Sequence, residues 1–221
     1  MAVYDIQGKT CLITGGASGM GAAYVESYLR DGAKFVAILD IAESKGAALA
    51  NKLSKTYPSK VEFIKCDIGE EASVTAAFNA VVDKVNQLDV IINNAGIGND
   101  SKNMWRTACD VNWQGVISFT LKGVKHMRKD QGGAGGTIIN ISSVAAFLTW
   151  PTMPIYHGSK AAVMHFSRCL AVSRYKTGIR VMTICISATD TPMLQSSADG
   201  VIDPMVSKTF AEAINNLKTQ R

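Results

Sequence analysis

The sequence predicts an α/β fold: a single domain built on a doubly wound parallel sheet of about six strands with helices on both faces. Short apolar runs alternate with segments of helical periodicity along the 221 residues, and strands buried on both faces have such continuous apolar runs. A composition of 47% hydrophobic and 19% charged residues is typical of a globular protein. The first apolar run also ends in a glycine-rich turn, where such sheets bind ligands.

Three strands and three helices are expected in the first half of the chain. "KTCLITGG" is a short apolar run that ends in glycine, and the segment after it places Ala22, Val25 and Leu29 at helical spacing. "KFVAILD" and "VEFIKCD" repeat the apolar run, each followed by a segment of helical composition. In order, we predict strand 9–16, helix 19–31, strand 34–40, helix 43–57, strand 61–67 and helix 70–86.

The second half continues the alternation. "LDVIINNAG", "GTIINISS" and "IRVMTICI" are the remaining apolar runs. In order, we predict strand 88–96, a helical region at about 101–129, strand 136–143, a helix at about 155–177 and strand 179–186. Asp203-Pro204 opens one more helical segment, with Phe210 and Leu217 on one face. No linker or internal repeat divides the chain, so we expect a single domain over residues 1–221.

Charge and composition argue against several classes of protein. The net charge of +5 comes from 23 basic and 18 acidic residues scattered along the chain, so we expect no nucleic-acid partner. The N-terminus lacks signal-peptide features. Residues 131–159 carry no charge but are interrupted by glycine and proline, which favours a buried strand over a membrane span. The five cysteines form no C-x-x-C pair, which indicates reduced core thiols in a cytoplasmic protein without a metal site.

The turn after the first strand, "TGGASGMG", has the chemistry of a phosphate-binding turn. Gly15, Gly19 and Gly21 let the backbone approach a pyrophosphate, and the helix N-terminus that follows favours its negative charge. Ala22 and Ala23 stand where a P-loop has Lys and Ser/Thr, so a nucleotide triphosphatase is not expected. The turn therefore indicates a Rossmann-like dinucleotide site.

Asp40 ends the second strand and favours NAD(H) over NADP(H). A carboxylate at this position accepts hydrogen bonds from the hydroxyls of the adenosine ribose, and its charge repels a 2′-phosphate. Ile41 and Ala42 offer no arginine to hold such a phosphate. Asp67 and Asn94 end later strands on the same edge of the sheet, where Asp and Asn also form turns.

Tyr156 and Lys160, in "PIYHGSKAA", are the candidate reactive pair. At i and i+4 they lie on one face of a helix. An ammonium about 4 Å from a phenolate, at an effective dielectric near 20, stabilises it by about 4 kcal/mol. That is enough to lower the pKa of a phenol from about 10 towards neutrality, where a general base works best. Desolvation acts in the opposite direction.

Together these motifs resemble the short-chain dehydrogenase/reductase family. The matching features, in order over roughly residues 5–195, are T-G-x-x-x-G-x-G from Thr14 to Gly21, "NNAG" at 93–96, Asn112, Ser143, and Y-x-x-x-K. Ser143 and Tyr156 are 13 residues apart, the family's usual separation, which selects Ser143 over Ser142. Within the family, the segments "NQLDVIINNAGIGNDSKNMWRTACDVNWQGVIS" and "KDQGGAGGTIINISS" are most similar to 15-hydroxyprostaglandin dehydrogenases, followed by insect-type alcohol dehydrogenases.

The resemblance implies NAD-dependent oxidation of a secondary alcohol, or the reverse reduction. Tyr156 would take the hydroxyl proton and Ser143 would hold the substrate oxygen. Lys160 would tune the phenol and bind the nicotinamide ribose, and Asn112 would position a water that links Lys160 to solvent. The implied cofactor contacts are Gly15, Ser18, Gly19, Met20, Gly21, Asp40, Ile41, Asp67, Ile68, Asn94, Ala95, Gly96, Tyr156, Lys160, Thr189 and Thr191. A homodimer through the helices at about 101–129 and 155–177 is also implied.

The expected substrate is an apolar lipid, steroid or terpenoid alcohol. The pocket residues that we expect are Ala145, Phe147, Leu148, Trp150, Met153, Ser187, Met193 and Leu194. Met153 stands where prostaglandin-oxidising members have Gln, which argues against a prostaglandin substrate. Ile186-Ser187 replaces the family's Pro-Gly, so we expect a looser loop there. No segment after residue 187 resembles the family's usual last strand, which we expect to be absent.

Two other functions remain open at this point. One is a non-catalytic sensor or partner-binding protein that uses the same fold to bind a dinucleotide. The other is a carbonyl or steroid reductase that works with NADPH. A Ser-His-Asp hydrolase is disfavoured because the chain has no G-x-S-x-G elbow.

Overall fold

The sheet predicted from the apolar runs is present in the computed structural model, which describes residues 5–101, 103–149, 153–191 and 193. Six parallel strands pair in the order β3-β2-β1-β4-β5-β6. Their bounds are β1 Thr10–Thr14, β2 Phe35–Asp40, β3 Val61–Lys65, β4 Val90–Asn93, β5 Gly136–Ser143 and β6 Ile179–Ile186. The predicted α/β class with a doubly wound parallel sheet is confirmed.

Helices follow the strands as the sequence pattern predicts, with two differences of detail. Their bounds are α1 Gly19–Arg30, α2 Glu43–Ser54, α3 Glu71–Val85, α4 Trp105–Cys109, α5 Val116–Met127, α6 Pro154–Ala171 and α7 Arg174–Thr177. The helical region expected at 101–129 is shorter, from Trp105 to Met127. It contains a π-helical segment, Asp110–Gly115, between α4 and α5. The expected helix at 155–177 is interrupted at Ser173, whose hydroxyl donates to the Leu170 carbonyl at 2.8 Å.

The apolar runs are continuous because both faces of the sheet are buried. Leu12 of β1 belongs to one core cluster, together with Ile91 and Phe119. Ile13, the next residue, belongs to the cluster on the opposite face, together with Ile38. Successive side chains of a strand point to opposite faces. A central strand of this sheet therefore favours apolar residues at successive positions, and the two polar residues of β1, Thr10 and Thr14, are at its ends.

The strand order places the functional site at the junction of β1 and β4. The connection from β1 runs to β2 on one side, whereas β4 pairs with the other side of β1, with Thr14 opposite Asn93. The carboxyl ends of strands at such a change of direction leave a crevice for a ligand. This edge of the sheet holds the site that the sequence predicts.

Some sequence-based expectations are corrected or lie outside the described residues. Cys11 and Cys66 are buried free thiols, but Cys169 is exposed, so the expectation of five core thiols is wrong for Cys169. Among the described residues, no helix has the length and apolar character required to cross a bilayer. The helix expected from Asp203 onwards lies outside the described residues, and the single domain over residues 1–221 remains a prediction.

Candidate active site

The turn between β1 and α1 is built so tightly that only glycine fits at two of its positions. Gly15 has a positive φ of 63°, and a Cβ there would lie 2.7 Å from the Cα of Ala95. A Cβ on Gly21 would lie 2.0 Å from the Gly15 carbonyl oxygen. The side chain of Ser18 does not cap α1, and the first turn of α1 has no acidic residue. Backbone N–H groups at such a helix start favour an anion, so the turn fits a pyrophosphate.

A cleft of about 630 Å³ opens at the carboxyl ends of the strands and brings together most of the predicted cofactor contacts. Its lining includes Gly15, Ser18, Gly19, Met20, Asp40, Ile41, Asp67, Ile68, Asn94, Ala95, Gly96, Thr191 and Met193. The lining also includes residues that the sequence did not indicate: Cys66, Ile97, Gly98, Asn99, Met104, Thr107 and Val111. In the part of the chain that the structure describes, no lysine or arginine lines this cleft.

Asp40 combines a structural role with free acceptor capacity. One carboxylate oxygen accepts from the backbone N–H of Ala17 at 3.0 Å, and the other accepts from that of Ala42 at 2.9 Å. A carboxylate has about four acceptor positions, so two remain for hydroxyl groups of a ligand in the cleft. Asp40 can therefore hold the backbone at Ala17 and Ala42 and still accept from a ribose.

Asn94 and Asp67 shape the cleft from two other strand ends. The Asn94 side-chain amide donates to the carbonyl oxygens of Thr14 and Gly15, at 3.1 and 3.2 Å, and thereby fixes the glycine turn. Its Oδ1 is buried without a hydrogen-bond partner in the described structure, which leaves an acceptor beside the cleft. Asp67 accepts from the backbone N–H of Gly69 at 2.9 Å, the turn-forming role that its residue type favours.

Lys160 is a buried amine held against the fifth strand. Only 3% of the residue is exposed, and its Nζ donates to the carbonyl oxygen of Ile141 at 3.1 Å. Burial lowers the pKa of Lys160 from 10.5 to about 8. The Nζ lies 5.7 Å from the centroid of the Tyr156 ring, so the two residues share one helix face, as their spacing predicts.

The pKa of Tyr156 does not follow the sequence-based expectation. Burial raises it, a hydrogen bond with Ser143 lowers it, and the charge of Asp100 raises it further. We expected Lys160 to move the phenol pKa towards neutrality, and for the protein groups alone this is wrong. The physical reason is that Tyr156 is itself largely withdrawn from water, and desolvation disfavours the phenolate. The Lys160 amine also contacts the ring and a backbone carbonyl.

The two neighbouring serines at the end of β5 have different partners. The Ser142 hydroxyl donates to the carbonyl oxygen of Lys160 at 2.7 Å and is fully buried. The Ser143 hydroxyl donates to the carbonyl oxygen of Ile186 at 3.3 Å and hydrogen-bonds Tyr156. Ser143, the serine selected by its separation from the tyrosine, is therefore the one beside the phenol.

Asn112 lies in the π-helical segment, and its side chain holds the loop after β4. Its Oδ1 accepts from the backbone N–H of Ile97, and its Nδ2 donates to the Ile97 carbonyl, both at 2.8 Å. A Cβ on Gly96 would lie 3.1 Å from Asn112 Oδ1 and 3.3 Å from Lys160 Nζ. Gly96 therefore allows the cleft loop to pass close to the lysine. The water-positioning role of Asn112 remains a prediction.

Several predicted contacts do not line the cleft, and Tyr156 and Lys160 are among them. Thr189 is exposed and donates to the Ser187 carbonyl at 3.0 Å. Ala145, in the turn after β5, and Met153, directly before α6, are buried, and neither lines the cleft. The apolar side chains of Phe147 and Leu148 are 67% and 55% exposed. Trp150 and Leu194 lie outside the described residues.

Asp100 is a further site residue that the sequence did not indicate. It is 1% exposed, and its carboxylate accepts hydrogen bonds from the backbone N–H groups of Ile155 and Tyr156. The polar loop after "NNAG" gave no sign of a contact with a helix more than fifty residues later. One signal was available: α6 starts at Pro154 directly after Met153, a residue that cannot cap a helix.

Comparisons with known proteins agree with this geometry. The profile of the short chain dehydrogenase family matches residues 9–201. The "15-hydroxyprostaglandin dehydrogenase [NAD(+)]" of Mus musculus is 38% identical over 194 residues, which cover 86% of this chain and 71% of that protein. "Alcohol dehydrogenase 1" of Ceratitis cosyra is 33% identical over 220 residues, 98% of this chain and 84% of that protein.

A solved structure gives the same result for the fold. The 3-ketoacyl-(acyl-carrier-protein) reductase of Brucella melitensis, complexed with NADH, superposes with a TM-score of 0.79 at 29% identity. The match covers 86% of this chain and 80% of that one. Fold and site thus define a dinucleotide-linked oxidoreductase of the α/β class. The chain belongs to the short-chain dehydrogenase family, as the motif order predicted.

Proposed function

We propose that this protein is an NAD-dependent oxidoreductase that interconverts a secondary alcohol and a ketone. The observation that carries the proposal is that Ser143, Tyr156 and Lys160 converge beside a glycine-built dinucleotide cleft. A hydroxyl, a phenol and a buried amine in this arrangement are the groups needed to hold a substrate oxygen and move its proton. The relatives named above as NAD-linked or alcohol dehydrogenases support the same reaction class.

The residues of the cleft fit NAD. The Gly15–Gly21 turn would take the pyrophosphate, Asp40 the adenosine ribose hydroxyls and Asn94 Oδ1 a donor on the cofactor. The Asp40 charge, with no lysine or arginine along the described lining, disfavours the 2′-phosphate of NADP. When bound, NAD supplies the hydride acceptor and a positively charged ring. Lys160, which reaches the cleft loop at Gly96, would hold the nicotinamide ribose.

Tyr156 is the proposed acid and base. Its hydroxyl, hydrogen-bonded with Ser143, would take the proton of the substrate alcohol during oxidation and return it during reduction. Burial raises the pKa of the phenol in the protein alone, so the positive charge of the oxidised cofactor would be needed to release that proton. Because the pKa of Lys160 is about 8, its amine is mainly an ammonium at pH 7 and loses this charge in mildly alkaline solution.

We infer an apolar substrate, a homodimer and a cytoplasmic location. The exposed Phe147 and Leu148 lie on the turn after Ser143, where they would contact an apolar alcohol. Leu121 on α5 is an exposed apolar side chain of the region 101–129 that would pack against a second copy. Size-exclusion chromatography with light scattering tests the dimer directly, and a mass equal to one chain contradicts it.

The reaction is tested by NADH formation at 340 nm over a panel of secondary alcohols of increasing hydrophobicity. Tyr156→Phe should lower kcat by roughly two orders of magnitude or more, the usual contribution of a general base. Tyr175→Phe is the matched control, because Tyr175 is 89% exposed on the surface and should keep full activity. Equal activity of the wild type and Tyr156→Phe would contradict the proposal.

The same experiment separates the alternatives. NAD binding without turnover on any alcohol or ketone would support a dinucleotide-binding sensor in place of an enzyme. A preference for NADP(H) in kcat/KM would support the reductase alternative and show that Asp40 does not select the cofactor.

A further inference from the structure

The helix that carries Tyr156 begins without a cap of its own. Met153 precedes α6, no side chain within the helix start caps it, and its first turn contains no acidic residue. Pro154 has no N–H, so the first N–H groups that need partners are those of Ile155 and Tyr156. Ile155 and Tyr156 are half-buried, so N–H groups left unpaired there would be costly, and this helix start lies directly at the proposed catalytic residue.

Asp100 supplies the missing cap from a different part of the chain. Its Oδ2 accepts from the Ile155 N–H at 2.6 Å, and its two oxygens accept from the Tyr156 N–H at 3.0 and 3.1 Å. The residue is 1% exposed. It directly follows Asn99, which lines the cofactor cleft. One buried carboxylate therefore joins the cleft loop to the backbone of the proposed acid and base.

The charged and titratable groups around this carboxylate come from several elements. Burial raises the pKa of Asp100, and the hydrogen bonds from Tyr156 and Ile155 and the charge of His157 lower it. On α4, burial raises the pKa of Cys109, and the charges of Asp110 and Asp100 raise it further. Lys160 faces the Tyr156 ring from the next turn of α6. In this set, Asp100 is the negative charge that acts on the phenol.

We propose that Asp100 is a positioning residue for Tyr156, one that fixes the first turn of α6 from the cleft loop and opposes negative charge on the phenol. The catalytic part of this inference rests on the proposed function, but its electrostatic part does not. A carboxylate with both oxygens turned to helix N–H groups interacts favourably with the helix dipole while it disfavours a second anion nearby. Asp100 would thus hold the phenol in place and keep it protonated until the positive charge of the cofactor is present.

The electrostatic part is tested in the cofactor-free protein by titrating tyrosinate absorbance at 295 nm. The difference between the wild type and Tyr156→Phe isolates Tyr156, because the other five of the six tyrosines cancel. The same difference is then measured between Asp100→Asn and the double variant that also carries Tyr156→Phe. We expect the Tyr156 midpoint to lie at lower pH in the Asp100→Asn background than in the wild type. Asp89→Asn is the matched control: Asp89 is also a buried carboxylate that accepts a backbone N–H, from Thr10, at the other end of the sheet.

The control should lose stability and leave the Tyr156 midpoint unchanged. An unchanged or higher midpoint in Asp100→Asn would overturn the proposal. If Asp100→Asn does not fold, Asp100→Ser, which keeps one acceptor without the charge, is titrated in its place under the same criterion.

Alcohol oxidation tests the positioning part. We expect Asp100→Asn to lower kcat by about tenfold or more, because small displacements of a reacting group cost rate steeply. Its pH–rate profile should shift to lower pH, whereas that of Asp89→Asn should coincide with the wild type. A wild type without turnover refutes the proposed function and leaves the titration result standing. Turnover with an unshifted titration and profile refutes the role of Asp100.

Discussion

The buried ammonium of Lys160 should lower the stability of this protein at neutral pH, and Lys160→Met should remove that cost. The pKa of Lys160 is about 8 in the folded protein, against 10.5 for an ordinary lysine. The unfolded chain therefore binds the proton more tightly than the folded one. The cost is complete below pH 8 and disappears as the pH rises through 10.5. A difference of about 2.5 pKa units corresponds to about 3.4 kcal/mol in the free energy of unfolding.

The substitution also removes one favourable contact. The hydrogen bond from Nζ to the Ile141 carbonyl is lost, and a bond from a charged donor contributes about 1.5 kcal/mol. Since methionine keeps most of the apolar stem, we expect Lys160→Met to raise the free energy of unfolding by about 2 kcal/mol at pH 7, the difference of these two contributions. The gain should shrink as the pH rises and become a small loss near pH 10.5.

Urea unfolding followed by tryptophan fluorescence measures this effect at pH 7 and pH 9.5. Lys52→Met is the control, because Lys52 forms an exposed ion pair with Glu26 at 3.1 Å. It should change stability by less than about 0.5 kcal/mol at either pH. Catalytic activity should be lost in Lys160→Met and retained in Lys52→Met. A Lys160→Met protein that is less stable than the wild type at pH 7, or whose stability difference does not depend on pH, would refute the reasoning.

Three further substitutions test the cleft and the end of β5. Gly21→Ala places a Cβ 2.0 Å from the Gly15 carbonyl oxygen, so we expect about 1–3 kcal/mol of destabilisation and weaker NAD binding in a fluorescence titration; unchanged affinity would contradict the tight turn. Asp40→Ala should reduce the ratio of NAD to NADP affinity by about tenfold. The reason is that the variant no longer repels the 2′-phosphate of NADP, a repulsion of about 1.4 kcal/mol. An unaltered affinity ratio would argue against cofactor selection by charge. Ser143→Ala should lower kcat by about a hundredfold and cost about 1 kcal/mol of stability, since the hydroxyl also hydrogen-bonds the Ile186 carbonyl and the Ala145 N–H. Ser142→Ala should also cost about 1 kcal/mol in urea unfolding, because it removes a buried hydrogen bond to the Lys160 carbonyl, but it should affect kcat much less; equal effects of the two substitutions on kcat would show that the two serines are not distinct.

The sheet was predictable because both of its faces are buried, and such strands are visible as apolar runs. The residues at which the strands end were less predictable. We expected the fourth strand at 88–96, but β4 spans only Val90–Asn93. Asn94 leaves the strand because its side chain holds the carbonyls of Thr14 and Gly15. Such a contact joins parts of the chain that are far apart in sequence, and local patterns do not encode it.

The site was predictable where it depends on spacing along one element. Tyr156 and Lys160 share a helix face because they are four residues apart, and the glycine turn meets Asp40 because parallel strands end at one edge. The pKa of Tyr156 was not predictable, since it depends on how much water the folded protein removes. The contact of Asp100 with α6 depends on a loop path that no periodicity determines.

Three consecutive residues of β5 each form a hydrogen bond with Tyr156 or Lys160. The Ile141 carbonyl accepts from the Lys160 amine, the Ser142 hydroxyl donates to the Lys160 carbonyl, and the Ser143 hydroxyl meets the phenol of Tyr156. Because neighbouring side chains of a strand point to opposite faces, a shift of β5 by one residue exchanges the two hydroxyls. The chemistry thus depends on the register of this strand. A one-residue insertion inside β5 would move the reactive hydroxyl away from the phenol, although every residue of the motif would still be present in the sequence.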